Sequence, residues 1–290
     1  MRSDADPSAG AAADAGTAGQ PAAEQSRTDT FVGPAEDSAI FAETMAWARA
    51  EGLAAQPIGE IIARVAARFV GAPYVPGTLE VEGDERLVVN LRTFDCVTLV
   101  ESTLAIARLV REGSDSFADF RRELERVRYR DGAVDGYISR LHYFSEWIAD
   151  NARRGLVEDV TASIGGAPDA EPIDFMSNHA EAYRQLADPD VLASVQEMET
   201  RISARTRYRI PQDGIGAAAD GIRNGDIIAA TSSLAGLDVA HTGFAYWQDG
   251  ALHLLHAPLV GSVVEISDQP LADRIQRIGT QDGIMVARPR

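Results

Sequence analysis

Residues 91–110, LRTFDCVTLVESTLAIARLV, form the most apolar stretch of the chain and contain its only cysteine, Cys96. After Cys96 the apolar side chains recur at steps of three and four residues, with few polar interruptions. This spacing predicts a helix that begins at or next to Cys96 and is buried on most of its circumference. Because such a helix has to be covered on nearly all sides, the other elements must be arranged around it.

Cys96 stands at the predicted start of this helix, where backbone N–H groups lack partners within the helix and the helix dipole is positive. Both features favour a thiolate, which is the nucleophilic form of cysteine, and the same N–H groups could bind an oxyanion. The position therefore makes Cys96 a candidate nucleophile. A buried core cysteine is the alternative that the position alone leaves open.

The composition excludes several classes of protein. The 290 residues include 44 acidic and 27 basic side chains, all of the latter arginine, for a net charge of −17. A chain with this balance lacks the basic surface that phosphate backbones require, so we expect no nucleic-acid partner. The single cysteine excludes an internal disulfide and any site with several cysteine ligands. No apolar run reaches about 18 residues, which predicts that the chain has no transmembrane segment.

The first part of the chain differs in composition from the rest. Residues 1–35 consist mainly of small and polar residues, which predicts a disordered leader or linker. The leader lacks the hydrophobic segment of a signal peptide. A spacer of this type often follows an export signal or lipid anchor, so we expect such a signal to be missing from the sequence. The remaining residues, 36–290, are predicted to form a single catalytic domain.

Within this domain, residues 36–155 are predicted to be a helical half. Helical spacing of apolar residues occurs at 38–49, 57–69, 116–128 and 140–152. The loop GAPYVPGTLE and a short extended stretch at 87–90 lead to Cys96. The following stretch, about 156–215, is polar with helical spacing and is predicted to be a helical insertion.

From residue 222 onward the apolar pattern changes to a period of two, which predicts an antiparallel sheet over 222–290. The expected strands are 226–230, 240–247, 251–256, 262–266 and 284–287. Asp249-Gly250 between two of them is a strong hairpin signal. Helices followed by an antiparallel meander indicate an α+β fold, with the cysteine helix packed on the sheet.

A cysteine nucleophile needs a base within hydrogen-bonding reach, and the base needs an orienting partner. His241 opens one strand of the predicted hairpin and His256 closes the other, so the two should meet across the ladder. His253 is odd in register relative to His256 and should lie on the opposite face. We therefore assign His241 as the base and His256 as its orienter. A Cys–His–His zinc site is the alternative, but such ligands more often come in closely spaced pairs, so we expect no metal and no cofactor.

The motifs that surround these residues resemble a known family. GAPYVPGT, FDCVTLVE, HTGFAYW and LHLLHA are similar to the NlpC-type papain-like cell-wall hydrolases. TFDCVTLVE, SRLHYFSEWIADN, GDIIA, GLDVAHTG, LLHAP and GIMVAR resemble the N-acetylmuramoyl-L-alanine amidase-like branch of that superfamily. The resemblance covers about 41–288. Two positions depart from it: Pro258 stands where a serine is common, and PYVPGT replaces the PYxxGG of the wider superfamily.

The resemblance implies a papain-like fold and a cysteine amidase that acts on peptidoglycan fragments. The amide cleaved would join N-acetylmuramic acid, with its anhydro form as one candidate, to L-alanine, through a thioester on the enzyme. Cys96 would be the nucleophile, His241 the general base and His256 the third member. The resemblance also implies substrate-binding positions: Tyr74, Asp95, Tyr137, Arg140, His142, Tyr143 and Asp238.

Two other functions stay open on the sequence. The same three catalytic residues would serve a stem-peptide endopeptidase or an acyltransferase, and a catalytically inactive peptidoglycan-binding module would keep the fold. The SRLHY segment favours the amidase over the first alternative, and the intact Cys, His, His set argues against the second. A peptidoglycan substrate implies a periplasmic or extracellular location, with the cytoplasm left open.

Overall fold

The computed structural model describes residues 31–259 and 262–290. Most of the predicted leader, residues 1–30, therefore lies outside the described residues. The remainder of that prediction is wrong, because Phe31–Val32 form strand β1 and the first helix begins at Ala35. Strand β1 pairs in parallel with β2, Leu87–Val88, and this pairing holds residues 31 and 32 in the fold.

The predicted helices of the first half are present, with shifted ends. The α-helices of the described residues are α1 Ala35–Ala50, α2 Ile58–Arg68, α3 Cys96–Glu112, α4 Phe117–Arg128, α5 Phe144–Arg153, α6 Phe175–Asn178, α7 Pro189–Ser203, α8 Ile215–Ala218 and α9 Leu271–Arg277. Short 3-10 turns occur at Leu53–Ala55, Arg130–Gly132, Tyr137–Ser139, Ala162–Ile164, Ala180–Ala182, Arg184–Ala187 and Ala219–Gly221. Among the described residues, no helix combines the length and the apolar character that a membrane crossing needs.

One antiparallel sheet dominates the second half of the chain. Its strands are β3 Val157–Asp159, β4 Ala167–Asp169, β5 Arg207–Pro211, β6 Ile227–Ser232, β7 Val239–Gln248, β8 Ala251–His256, β9 Glu265–Ile266 and β10 Gln281–Pro289. The strand order is β4-β5-β10-β6-β7-β8-β9, and β3 pairs with β10 beside β5. The α+β class is therefore confirmed, with the predicted meander at β6 to β9.

The prediction of a purely helical insertion over 156–215 is wrong. Three strands of the sheet, β3, β4 and β5, come from this stretch, and α7 is its one long helix within the described residues. The physical reason is the length of β10, whose nine residues extend well beyond the predicted 284–287. The edge of β10 away from β6 would expose unpaired N–H and C=O groups, and β3 and β5 supply its partners.

The helix predicted at 140–152 begins only at Phe144. Residues 140 and 141 are instead extended, because Arg140 pairs with Tyr129 in an antiparallel bridge and the Leu141 amide donates to the Arg128 carbonyl. This non-local pairing outweighs the helical spacing of the apolar residues. It places residues 137–143 against the C-terminal end of α4.

The strands of the sheet centre are buried on both faces. On β6, Ile227 and Ala229 face the helices, whereas Ile228 and Ala230 face a second core with Leu271 and Ile275 of α9. This alternation is the period of two that predicted the sheet. The hairpin between β7 and β8 also follows the prediction, because Asp249 and Gly250 both have positive φ angles, 51° and 80°.

Helix α3 lies between the other helices and the sheet, and most of its side chains are fully buried. Glu101 of α3 forms a buried ion pair with Arg128 of α4, with Oε2 and Nε 2.6 Å apart, and Arg128 also donates to the Val88 carbonyl. Asp37 of α1 accepts from the Leu91 amide at 2.8 Å. These buried contacts hold both the helix and the loop that enters it, so the position of Cys96 is fixed from several sides.

Candidate active site

Cys96 is the first residue of α3, as predicted. Asp95 is the N-cap: its Oδ1 accepts from the Thr98 amide at 2.7 Å, and the Asp95 amide donates to Thr98 Oγ1 at 2.9 Å. This reciprocal capping box explains why the helix begins at the cysteine. Asp95 was predicted to bind substrate, and the structure shows it engaged in capping the helix.

Thr242 connects Cys96 to the sheet. Its hydroxyl donates to the Cys96 carbonyl at 2.7 Å, which joins the start of α3 to β7 one residue after His241. Sequence reasoning did not single out Thr242. The signal that was available is its position next to His241, where a polar side chain on a mostly apolar strand needs a partner.

Other features of the fold oppose the thiolate that the position of Cys96 at the helix start favours. Burial, followed by the nearby charge of Asp95, raises the pKa of Cys96 to about 12, although hydrogen bonds with Thr242 and with the Cys96 amide lower it. The helix start therefore does not overcome the loss of solvation of a charged sulfur. The surroundings of Cys96 therefore favour the neutral thiol over the thiolate in the free protein.

His241 and His256 are directly hydrogen-bonded, which confirms their predicted pairing. His241 Nε2 and His256 Nδ1 are 2.8 Å apart, and the rings meet edge to face at 86°. The ladder register pairs His256 with Gly243, so His241 lies two residues along the strand on the same face. A Cβ at Gly243 would lie 2.9 Å from His256 Cβ and 2.7 Å from the Leu255 oxygen, so only glycine fits there.

The surroundings of both rings disfavour their charged forms in the free protein. Burial, followed by the charge of Arg274, lowers the pKa of His241 to about 3. Burial also lowers the pKa of His256 well below its usual value, and His241 and Arg274 add to that effect. Because His241 Nε2 faces His256, Nδ1 is the ring nitrogen that is left for a proton from a thiol.

The remaining histidine of the hairpin lies elsewhere, as predicted. His253 pairs with Tyr246 across the ladder, and its Nδ1 is 2.7 Å from the Ser267 carbonyl. In the described part of the chain, no three His, Cys, Asp or Glu side chains converge in an arrangement that would hold a metal ion.

Tyr74 lies in a loop that contacts both the residues before Cys96 and the segment before β9, at one edge of the sheet. It forms a parallel bridge with Phe94, and its amide donates to the Ser262 carbonyl at 2.7 Å. The adjacent Val75 amide donates to the Phe94 carbonyl at 3.0 Å. Tyr74 is half-buried, and its bridge partner Phe94 lies two residues before Cys96. The tyrosine is therefore close to the candidate nucleophile.

Segment 137–143 contains four of the predicted substrate-binding residues, and its polar groups bond largely within the protein. Arg140 is 5% exposed, and its guanidinium is 2.5 Å from Glu80 Oε1 and lies over the Tyr137 ring at 5.0 Å. His142 Nε2 is 2.8 Å from the Tyr137 carbonyl. Burial, followed by the charge of Arg140, lowers the pKa of His142 to about 3.

The hydroxyl of Tyr143 is fully engaged by the neighbouring helices. It donates to Glu199 Oε1 at 2.7 Å and accepts from the Met176 amide at 2.8 Å. Tyr143 therefore connects segment 137–143 to α6 and α7, and it lies in the small core around α7.

Asp238 connects helix α5 to the strand that carries His241. Its Oδ2 accepts from the Ser145 amide in the first turn of α5 at 2.7 Å, and its Oδ1 accepts from the Val239 amide at 2.7 Å. Burial raises the pKa of Asp238, and these hydrogen bonds oppose that rise. The side chain thus fixes the start of β7 relative to α5.

The chain is similar to several proteins of known structure. An N-acetylmuramoyl-L-alanine amidase from Bacteroides uniformis is 36% identical with a TM-score of 0.75, and the match covers 80% of this chain and 99% of that one. A Bacteroides fragilis structure, provisionally named a xylanase, is 40% identical with a TM-score of 0.72, over 77% and 98% of the two chains. A Legionella pneumophila protein shares the fold at 22% identity and a TM-score of 0.61, over 92% and 95%.

No curated protein matches the chain. The sequence model of the AmiA-like family, described as N-acetylmuramoyl-L-alanine amidase-like, matches residues 64–283. This match includes Cys96, His241 and His256, and it confirms the resemblance found in the motifs. The chain belongs to the N-acetylmuramoyl-L-alanine amidase-like family.

Proposed function

We propose that the protein is a cysteine amidase of papain-like, NlpC-type architecture that cleaves the bond between N-acetylmuramic acid and L-alanine in peptidoglycan fragments. The family supports the amidase class, and the Bacteroides uniformis relative bears the name of this activity. The observation that carries the proposal is the hydrogen bond between His241 and His256. The residue after His241 is Thr242, whose hydroxyl donates to the Cys96 carbonyl.

The reaction has two halves. The Cys96 sulfur attacks the carbonyl carbon of the lactyl group while His241 Nδ1 takes the thiol proton. The tetrahedral intermediate then loses the alanine amine, which takes that proton from His241 and leaves a thioester on Cys96. Water attacks the thioester carbonyl, gives a proton to His241, and releases the sugar carboxylic acid and the free thiol.

The protonation states of the free protein determine the order of these events. Because the pKa of Cys96 is about 12 and that of His241 about 3, a resting thiolate–imidazolium pair is disfavoured. We therefore infer that the proton moves as the sulfur attacks, so that charge develops on the substrate oxygen rather than on a buried sulfur. Because a thiol with a raised pKa is alkylated slowly, slow alkylation of Cys96 in the free protein would not indicate an inactive site.

The start of α3 offers donors for the developing oxyanion. Asp95 Oδ1 engages the amide of Thr98, and the Asp95 carbonyl accepts from Leu99. The cap does not engage the amides of Cys96 and Val97, which are the remaining donors of the first helical turn. We propose that the Cys96 amide, with Val97 as a neighbouring donor, stabilises the oxyanion.

The predicted substrate-binding residues divide into three groups in this proposal. Tyr74 lines the cleft beside Cys96. The internal bonds of Asp95, Tyr143 and Asp238 favour roles in positioning the backbone around the cleft. Tyr137 and Arg140 are buried, and with the half-buried His142 they would form a wall that shapes the site for the sugar or peptide, in either the reducing or the anhydro form of the substrate.

The test is mass spectrometry of a muropeptide digest incubated with the wild type and with Cys96→Ala. Free peptides that begin with L-alanine, together with peptide-free sugar, are expected from the wild type only. Cleavage inside the peptide would instead establish the endopeptidase, and transfer of the sugar acyl group to an added amine would establish the acyltransferase. Unchanged fragments with retained muropeptide binding would establish a binding module. The substrate implies a location outside the cytoplasmic membrane.

A further inference from the structure

The outer nitrogen of His256 is an unusual buried atom. His256 is 1% exposed, and its Nδ1 is taken by His241 at 2.8 Å. Its Nε2 is buried, and within residues 31–259 and 262–290 it has no hydrogen-bond partner. A buried ring nitrogen without a partner costs free energy, so its retention at this position calls for an explanation.

The nearest acidic group is a carboxylate on the next strand. Glu265 Oε1 lies 3.7 Å from His256 Nε2, just beyond hydrogen-bonding distance, and the two residues are direct partners in the β8–β9 ladder. The Glu265 side chain is 43% exposed, so it has room to rotate and close this gap.

The backbone of Glu265 is fixed, unlike its side chain. The preceding Val264 amide donates to the Ala72 carbonyl at 2.8 Å, and the Val264 carbonyl accepts from the Gly71 amide at 2.8 Å. These bonds tie the start of β9 to the loop that carries Tyr74. The backbone of Glu265 is therefore held next to His256 by the same loop that pairs with the residues before Cys96.

Only one proton fits between the two rings, so the tautomer of His256 decides that of His241. If His256 Nε2 carries a hydrogen, Nδ1 must accept, His241 Nε2 must donate, and His241 Nδ1 is left with the lone pair that a base needs. In the opposite arrangement, His241 Nδ1 carries the hydrogen and the ring cannot accept a proton from the thiol there.

We propose that Glu265 is a positioning residue that accepts a hydrogen bond from His256 Nε2 and thereby fixes both histidines in the tautomers that leave His241 Nδ1 basic. This inference rests on the proposed cysteine amidase mechanism for its effect on rate. No proton moves to Glu265. Its negative charge stabilises the positive charge that His241 and His256 share while His241 holds the thiol proton.

Other charges surround this group. Burial, followed by the charge of Asp268, raises the pKa of Glu265, and Arg274 of α9 lowers it. Arg274 also disfavours a charged His256 and a charged His241. The negative charge of Glu265 beside His256 offsets that unfavourable effect during turnover, because opposite charges attract at short range.

Glu265→Ala and Glu265→Gln test the proposal, with Asp268→Asn as the matched control that removes an exposed charge from the same edge. We expect Glu265→Ala to lower kcat by about 10–100-fold with little change in KM, as outer partners of functional histidines do. Glu265→Gln should retain part of the rate, because its amide oxygen still accepts a hydrogen bond. Asp268→Asn should stay close to the wild type.

Nitrogen NMR of the isotope-labelled histidine rings provides a readout that does not depend on turnover. In the wild type, both His241 and His256 should carry their hydrogen on Nε2, and Glu265→Ala should produce a mixture of tautomers. Unchanged tautomers and an unchanged kcat in that variant would overturn the proposal. Altered tautomers in a protein that shows no amidase activity would support Glu265 while rejecting the proposed function.

Discussion

The group of Cys96, His241 and His256 and segment 137–143 are both polar and largely buried, but they use their polar atoms differently. In segment 137–143, the Tyr143 hydroxyl and the His142 ring have their partners within the protein. In the proposed catalytic group, His256 Nε2 is buried and has no hydrogen-bond partner within the described residues. Segment 137–143 also contains one such atom, Arg140 Nε, but the Arg140 guanidinium is paired with the carboxylates of Glu80 and Glu85. A buried ring nitrogen without a partner costs free energy, so His256 Nε2 calls for an explanation.

The comparison also separates two meanings of a motif residue. The sequence motifs place Asp95, Tyr143 and Asp238 beside the catalytic residues, and the structure shows each of them bonded to backbone amides. Such residues hold the helix start, the wall and the strand in register. The motifs therefore include residues that hold the backbone in place as well as the residues proposed to react.

The largest expected effect belongs to the base. His241→Ala should lower kcat/KM on the order of 10³-fold or more, because it removes the proton acceptor of both half-reactions. His253→Ala is the matched control from the same hairpin and should leave kcat/KM within a few-fold of the wild type. Steady-state kinetics on a purified muropeptide measures both variants. Similar losses in the two variants would contradict the assignment of His241.

Segment 137–143 should show the opposite behaviour, a loss of stability rather than of turnover. Tyr143→Phe removes the hydroxyl and leaves Glu199 and the Met176 amide without that partner, at a cost of about 2–3 kcal/mol in the free energy of unfolding. Urea unfolding measures this cost. Tyr208→Phe on β5, whose hydroxyl makes no hydrogen bond within the described residues, is the control. A stable Tyr143→Phe variant that has lost activity would instead indicate direct substrate binding.

The last expected effect is absent at neutral pH, because it is a change in acid stability. The pKa of His142 is about 3 in the fold against a usual value of 6.5, so below pH 6.5 the unfolded chain binds more protons. Stability contributed by the neutral ring is thus complete above pH 6.5 and is lost as the pH falls toward 3. His142→Gln keeps a donor for the Tyr137 carbonyl and does not titrate.

This variant should therefore lose stability less steeply in that range, by up to about 1.4 kcal/mol per pH unit. Urea unfolding at several pH values gives the slope. His179→Gln, which changes an exposed histidine, serves as the control. Equal slopes for His142→Gln and the wild type would show that His142 is already protonated in the fold.

Local signals predicted much of this molecule. The spacing after Cys96 and the polar residues before it place the helix start correctly, because a capping box forms between residues three apart. Asp249-Gly250 fixes the hairpin, and with it the side of the sheet on which His241 and His256 meet. The motif resemblance adds the family, which sequence spacing by itself does not give.

Non-local pairing decided the rest. The strands β3 and β5 within the predicted insertion exist because β10 needs partners at its edge, and residues 140–141 are extended because they pair with the end of α4. Neither partner lies close in sequence, so apolar periodicity cannot indicate these contacts.

The sequence by itself determined which residues could carry the chemistry, where the cysteine helix begins and which two histidines pair. Only the tertiary structure decided the protonation of Cys96 and His241, the bond from Thr242, and the placement of Glu265 beside His256. The physical reason is that a helix cap and a hairpin turn are built from neighbours in the chain. The pKa of a buried group depends instead on all the elements that exclude water from it.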